Sequence, residues 1–474
     1  MEGDAEMLEL FELNFSDLLV LSSSSPSSRV SSSLSSEEIE RLDSISIAVM
    51  ETLGPSGPGL LAITGVPKAS ELRKSLLPLA RKLALLQNED RRRILKEHSL
   101  GSDVPLKNLD RIVSSFAMQL KYVQDQELTS SGSSRKGDNS NITKEEHPDA
   151  DNLNEFHDSE FENLGNIFKE LGFCMMELGL FLAQLCDRAI GGEELEQSLL
   201  DSGTAKARLI HYHSALDSLV LKEEGRRKRS TKGPAKYQLP HGSRESEASI
   251  LDVKTPPEGS KLETGGNEGR SGRTSLSSLW QQWHYDYGVF TVLTAPMFIS
   301  PCHPLTRKEK DGFCISCDRE HPPPDGHTYL QIFDPNKNIV SLVRSPPESV
   351  IVQVGESADI LSKGKLRSTL HSVCKPEQLE NLSRETFVVF LQPSWSKKFS
   401  IPEYLRESMV LNGQCSWAYN EESHLAEREL HKVSQEIHKI VPPLSSRLKD
   451  GMTFADFSRE TTRQYYGGSG GEKN

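Results

Sequence analysis

With 474 residues, an apolar share of 35% and a formal net charge of −13, the chain has room for a catalytic domain plus a second lobe or long unstructured segments. The acidity argues against broad nucleic-acid binding, which needs a basic surface. The longest apolar run, "GFCMMELGLFLAQLC" at 172–186, contains Glu177 and falls short of the roughly 20 residues of a membrane span, so it reads as a buried helix and no membrane partner is expected.

The start, "MEGDAEMLEL", is acidic and lacks the marks of a secretory or transit leader, and seven scattered cysteines read as reduced thiols. A cytoplasmic location is expected. Residues 36–53 predict a helix, opened by "SSEE" with acidic residues in its first turn and closed by "GPSGPG". "GLLAITGVP" follows as a short buried strand. Leu72, Leu76, Leu79, Leu83 and Leu86 then form an amphipathic stripe interrupted by Pro78, and Leu164, Phe168, Leu171, Met175, Leu178, Leu182 and Leu185 form a longer one. Both stripes are expected to face a core.

Residues 126–158 and 222–275 are polar, rich in Gly and Ser, and expected to be disordered insertions. The second holds Arg226, Arg227, Lys228 and Arg229, a solvated charge run or a nuclear localisation patch. From "RLIHYH" at 208, and again from 278, the pattern turns to strands: "VFTVLTA", "TYLQIFD", "NIVSLVR", "SVIVQVGE", "KLRSTLHSV" and "ETFVVFLQP". Short strands with close turns predict a sandwich or jelly roll that follows the helices. "RELHKVSQEIHKI" predicts one more helix before a polar, Gly-rich tail.

Within "SLWQQWHYDYGVFTVLT", His284 and Asp286 are two positions apart. On a strand they share a face while Tyr285 points away, which suits a metal ion or a hydrogen-bonded pair. A facial set of two histidines and a carboxylate holds Fe(II) and leaves positions open. His371, in a later strand, is the best candidate for the second histidine. Arg384 and Thr386, two apart, share a face of "RETFVVF".

These ordered elements resemble the plant-type 2-oxoglutarate- and Fe(II)-dependent dioxygenase superfamily, the isopenicillin N synthase-like group. "WHYDYGVFTVLT" resembles its His-x-Asp segment, "VIVQVGESADILSKGKLRSTLHSV" the block that carries its distal histidine, and "SRETFVVFLQP" its Arg-x-Ser block. The resemblance spans 202–221 and 278–395, and more loosely 8–100. It implies an α+β fold with a double-stranded β-helix (jelly roll) core, an N-terminal helical region and disordered insertions. The parts are a helical and strand region over 1–125, a linker over 126–158, a helix and first barrel strand over 159–221, an insertion over 222–275, the core over 276–400, and a C-terminal helix and tail over 401–474.

By the same resemblance His284, Asp286 and His371 bind iron and are the catalytic set, Arg384 and Thr386 bind 2-oxoglutarate, and Tyr212 reaches that co-substrate. O2 is the oxidant and ascorbate a candidate reductant. The implied reaction is hydroxylation or desaturation of a small organic substrate, with succinate and CO2 as co-products. The sequence departs from the family's pattern at Ser372 (usually Arg), Thr386 (usually Ser) and Glu356 (usually Asp). Alternatives are an inactive relative acting as a scaffold and an iron oxidase that does not use 2-oxoglutarate.

An insertion lies between two of the strands. Its Cys302, Cys314, Cys317 and His321 can be set out as a Cys3His zinc site, but the spacings fit no zinc pattern and reduced thiols are the simpler reading; His303 lies in the same loop. His211 and His213 must face away from the co-substrate if Tyr212 faces it.

Overall fold

The computed structural model describes residues 6–23, 35–122, 159–231, 279–300, 319–376, 381–412, 435, 437 and 439–466. The helix Ser36–Leu53 forms where the sequence predicts it: the Ser35 hydroxyl accepts the Glu38 N–H at 3.2 Å, and Glu37 and Glu38 sit in the first turn. The helix Ala69–Leu85 runs through Pro78 instead of stopping there. A proline inside a helix costs about 3 kcal/mol or more. Burial of Leu76, Leu77, Leu79, Ala80 and Leu83 on its inner face offsets that cost. The helix Leu164–Ile190 buries its whole predicted stripe and ends at Gly191, whose φ of 80° is the left-handed conformation glycine adopts freely.

Fourteen strands are described. They are β1 (Glu6–Glu9), β2 (Glu12–Asn14), β3 (Leu60–Thr64), β4 (Val113–Lys121), β5 (Thr204–Tyr212), β6 (Leu279–His284) and β7 (Phe290–Thr294), followed by β8 (Met297–Ser300), β9 (Arg319–His321), β10 (Leu330–Asp334), β11 (Ile339–Arg344), β12 (Val350–Val354), β13 (His371–Cys374) and β14 (Ser383–Leu391). One sheet has the order β1-β11-β10-β13-β6. The other has the order β2-β3-β12-β7-β14-β5-β4, with β8 joining β14 and β9 joining β8. Leu60, Ile210, Tyr212, Leu293, Ile351 and Val388 of the larger sheet meet Trp280, Leu330, Ile332, Val343 and Val373 of the smaller one in a shared core. The fold is therefore a mixed α and β structure in which two sheets pack face to face.

The outer face of the larger sheet is covered by helices. Phe387, Val389 and Leu391 of β14 and Val292 of β7 join the core formed by Phe168, Leu171, Met175, Leu178 and Leu182. Alternation along β14 thus sends odd-numbered residues to the helices and even-numbered ones between the sheets. Among the described residues no helix is long and apolar enough to cross a membrane.

Three expectations change. The N-terminal region does not precede the sheets as a separate helical part: β1 to β4 lie within them, β3 pairing with β12 and β4 with β5. The chain is not irregular from 222, because the helix Ala215–Thr231 continues through the basic run; the rest of that insertion, like 126–158, lies outside the described residues. The predicted tail contains a helix, Phe454–Tyr466, held by Phe454 and Phe457 in a small core with Phe399, Ile401 and Tyr404.

Candidate metal centre and anion pocket

β13 pairs with β6 so that His371 stands opposite His284, with ring centroids 4.2 Å apart. Strand alternation does not place Asp286, as the sequence suggested. β6 ends at His284, and Asp286 lies in the loop that follows. That loop is fixed by hydrogen bonds to its backbone. The Asp286 carbonyl accepts the Glu356 N–H at 2.8 Å, and the Gly288 carbonyl accepts the Ser357 N–H at 2.9 Å, at the start of the helix Glu356–Leu361. A Cβ on Gly355 would stand 2.3 Å from the Gly288 carbonyl oxygen, so only glycine lets the two segments cross this closely.

The result is convergence. Asp286 Oδ1 lies 3.8 Å from His284 Nε2, Asp286 Oδ2 lies 3.7 Å from His371 Nε2, and the potential ligand atoms all fall within 4.8 Å of one another. A facial set with bonds of about 2 Å brings its ligand atoms to about 3 Å of one another, so the three side chains would close on one ion by drawing together by about 1–2 Å. The tautomers suit it. His284 Nδ1–H donates to the Gln282 carbonyl at 2.7 Å and His371 Nδ1–H to the Thr369 carbonyl at 3.0 Å, which leaves both Nε2 lone pairs toward Asp286. Burial, reinforced by His371 nearby, pulls His284 down to about 4, so its ring is neutral at pH 7, as a ligand must be. The Thr291 hydroxyl orients Asp286 by donating to Oδ2 at 2.7 Å.

Arg384, Thr386 and Tyr212 all point between the sheets. Arg384 stands opposite Tyr212 in the β14–β5 register, and its guanidinium carbon lies 5.2 Å from the centre of the Tyr212 ring. Arg384 is 1% exposed, donates Nε–H to the Thr328 carbonyl at 3.0 Å, and has no carboxylate partner among the described residues. Burial pushes its pKa down from the usual arginine value. Thr386 lies on the same face, with its hydroxyl donating to the Thr294 carbonyl at 3.3 Å.

A chain of contacts links this pocket to the histidines. The Tyr212 hydroxyl donates to Gln281 Oε1 at 2.8 Å, and Gln281 Nε2 donates to the lone pair of His284 Nε2 at 2.9 Å. Gln281 and Thr291 were not picked out in the sequence. Gln281 reaches the site through register shifts in the β6–β13 pairing, which a reading by strict alternation misses.

The substituted positions have local explanations. Ser372 donates to Gln331 Oε1 at 3.0 Å and, next to His371 on β13, alternates to the opposite face from the trio. Glu356 is paired with the buried Arg447 at 2.5 and 2.7 Å. His211 and His213 face the helices, away from Tyr212. In the inserted loop, Cys302, His303, Cys314 and Cys317 lie outside the described residues, and His321 is exposed at the end of β9.

No protein-family model matches the chain, and no curated protein matches it. Solved structures give a loose likeness. A full-length Neurospora crassa protein, in complex with alpha-KG and 5-formyluracil, is 13% identical over 98% of this chain and 97% of that one, with a TM-score of 0.45. JOX2, in complex with 2OG, Fe and JA, is 10% identical over 83% and 78%, at 0.42. Dioxygenase for auxin oxidation 1 from Arabidopsis thaliana, bound to 2-oxoglutarate, is 11% identical over 82% and 94%, at 0.36. A likeness this loose carries no argument about the chemistry of this chain, which rests on the geometry above.

Proposed function

We propose that the chain is an Fe(II)- and 2-oxoglutarate-dependent oxygenase acting on a small organic molecule, and that its two sheets form a double-stranded β-helix. One observation carries the reading: a His/Asp/His trio and a buried guanidinium with no carboxylate partner among the described residues line the same sandwich, joined through Tyr212 and Gln281. A dicarboxylate placed between them meets both needs. Its far carboxylate neutralises Arg384 by a charge-assisted bidentate bond, and its near end lies at the trio.

His284, Asp286 and His371 would hold the metal through Nε2, a carboxylate oxygen and Nε2. Iron there supplies oxygen activation: one atom of O2 enters succinate as 2-oxoglutarate loses CO2, and the other enters the hydroxylated product. The protein's residues do the rest. Thr291 and the backbone carbonyls of Gln282 and Thr369 fix ligand orientation, Arg384 and Tyr212 set the depth and angle of the co-substrate, and the apolar walls of the sandwich exclude water. Gln281 must release the His284 lone pair when a metal arrives.

Turnover of 2-oxoglutarate to succinate in the absence of substrate tests the reading. The oxygenase should release succinate with Fe(II) present, and His371→Ala should abolish it. A folded, iron-loaded protein that leaves 2-oxoglutarate untouched would favour the scaffold or the 2-oxoglutarate-independent oxidase.

A further inference from the structure

The turn that carries His284 and Asp286 is also held from outside the sheets, by the far C-terminal part of the chain. Tyr285, between the two candidate ligands, donates its backbone N–H to the hydroxyl oxygen of Tyr465 at 3.2 Å. Because β6 ends at His284, this peptide lies beyond the strand, where Tyr465, in the last turn of the helix Phe454–Tyr466, takes its hydrogen bond. A second route reaches the same turn. The Asp286 carbonyl takes the Glu356 N–H, and the Glu356 carboxylate is clamped by Arg447, which is fully buried, donates to Thr461 Oγ1 at 3.1 Å and lies over the rings of Phe457 and Tyr465. Arg447, Thr461 and Tyr465 are thus tied together: Tyr465 takes the Tyr285 N–H directly, and Arg447 reaches the Asp286 carbonyl through Glu356.

We propose that the segment 444–466 is a strut that sets the position of the metal ligands, with Tyr465 and Arg447 as positioning residues. The inference rests on the metal reading above. His284 and Asp286 flank a single residue, so rotating the Tyr285 peptide swings Asp286 relative to the His284 ring. Fixing the Tyr285 N–H on a hydroxyl, and the Asp286 carbonyl on the Glu356 amide, holds this two-residue stretch at both ends and leaves little freedom for that rotation. The strut thereby converts a loop residue into a preorganised ligand, as outer partners do at metal sites.

The test uses the full-length protein and Co(II) as a spectroscopic probe, with a calorimetric titration and a thermal melt of each variant. Tyr465→Phe keeps the ring under Arg447 and removes only the oxygen. It should melt close to wild type, bind Co(II) about tenfold more weakly and shift the visible Co(II) bands. Arg447→Lys keeps the charge but loses the two-pronged grip on Glu356, and should weaken Co(II) binding as well as lower the melting temperature. Wild-type affinity and an unchanged spectrum in Tyr465→Phe would overturn the strut while leaving the metal site standing. Absence of Co(II) binding by the wild type would overturn the metal reading and the strut together.

Discussion

Strands β5 and β14 lie side by side, and the two faces of this ribbon treat buried charge in opposite ways. Toward the helices, Glu385 takes His211 Nδ1 at 2.9 Å, His211 Nε2 lies 3.5 Å from Asp217, and Asp217 takes Arg81 Nε at 3.0 Å. The hydroxyls of Ser383 and Ser214 donate to the same two carboxylates. Between the sheets, one residue along each strand, Arg384 has a carbonyl oxygen and the face of a tyrosine ring but no anion among the described residues. A buried charge that is paired belongs to the architecture, whereas a buried charge held ready without a partner marks a place for a ligand.

Breaking the paired side should have the largest effect. Arg81→Met strands Asp217 without its cation and should destabilise the fold by about 3–5 kcal/mol in denaturant titrations. If the stability held, the pairing on that face would be dispensable. Arg384→Met should do the reverse. It removes an uncompensated buried cation, so stability should hold or rise, while 2-oxoglutarate affinity falls by about 2–4 kcal/mol in a direct binding titration.

Asp359 is the mirror of Arg384, a buried carboxylate held by the N–H and hydroxyl of Ser368. Burial raises it from 3.8 to about 6, so the folded state binds its proton more tightly than the unfolded chain does. The stability this contributes is fully present below the unfolded value and is lost as pH rises through about 6. Asp359→Asn should therefore flatten the decline in stability between pH 4 and pH 7 seen in urea midpoints, by roughly 1–3 kcal/mol. The smallest effect should come from Thr291→Val, which removes the hydroxyl from Asp286 and should weaken metal binding about tenfold without moving the melting temperature.

Much of this was legible in the sequence, for reasons that vary by residue. The helices Ser36–Leu53 and Leu164–Ile190 carry caps or long periodic stripes, and β3, β7, β10, β11, β12 and β14 are compact apolar runs between turn residues. β1 and β2, of four and three residues, are too short to carry a pattern. β4 alternates Phe116, Met118 and Leu120 toward the helical core, but two buried serines directly after Val113 blur its start. Ser114 bonds the ring of His213, so its polarity serves a partner nearly a hundred residues away.

The site shows the same division. His284, Asp286 and His371 do converge, but a glycine crossing and a helix start place Asp286, where strand alternation was expected to. The facing of Tyr212, Arg384 and Thr386 follows from period-two alternation. The grip of Tyr465 on the Tyr285 amide, across 180 residues, leaves no trace in local pattern.

The most direct test of the central claim is an anaerobic titration with Fe(II) and 2-oxoglutarate, followed in the visible region, of wild type beside His371→Ala and Arg384→Met. The account predicts a charge-transfer band in wild type that is lost in His371→Ala and needs far more 2-oxoglutarate in Arg384→Met. A folded, iron-loaded wild type that shows no band, or an Arg384→Met variant that titrates like wild type, would contradict it.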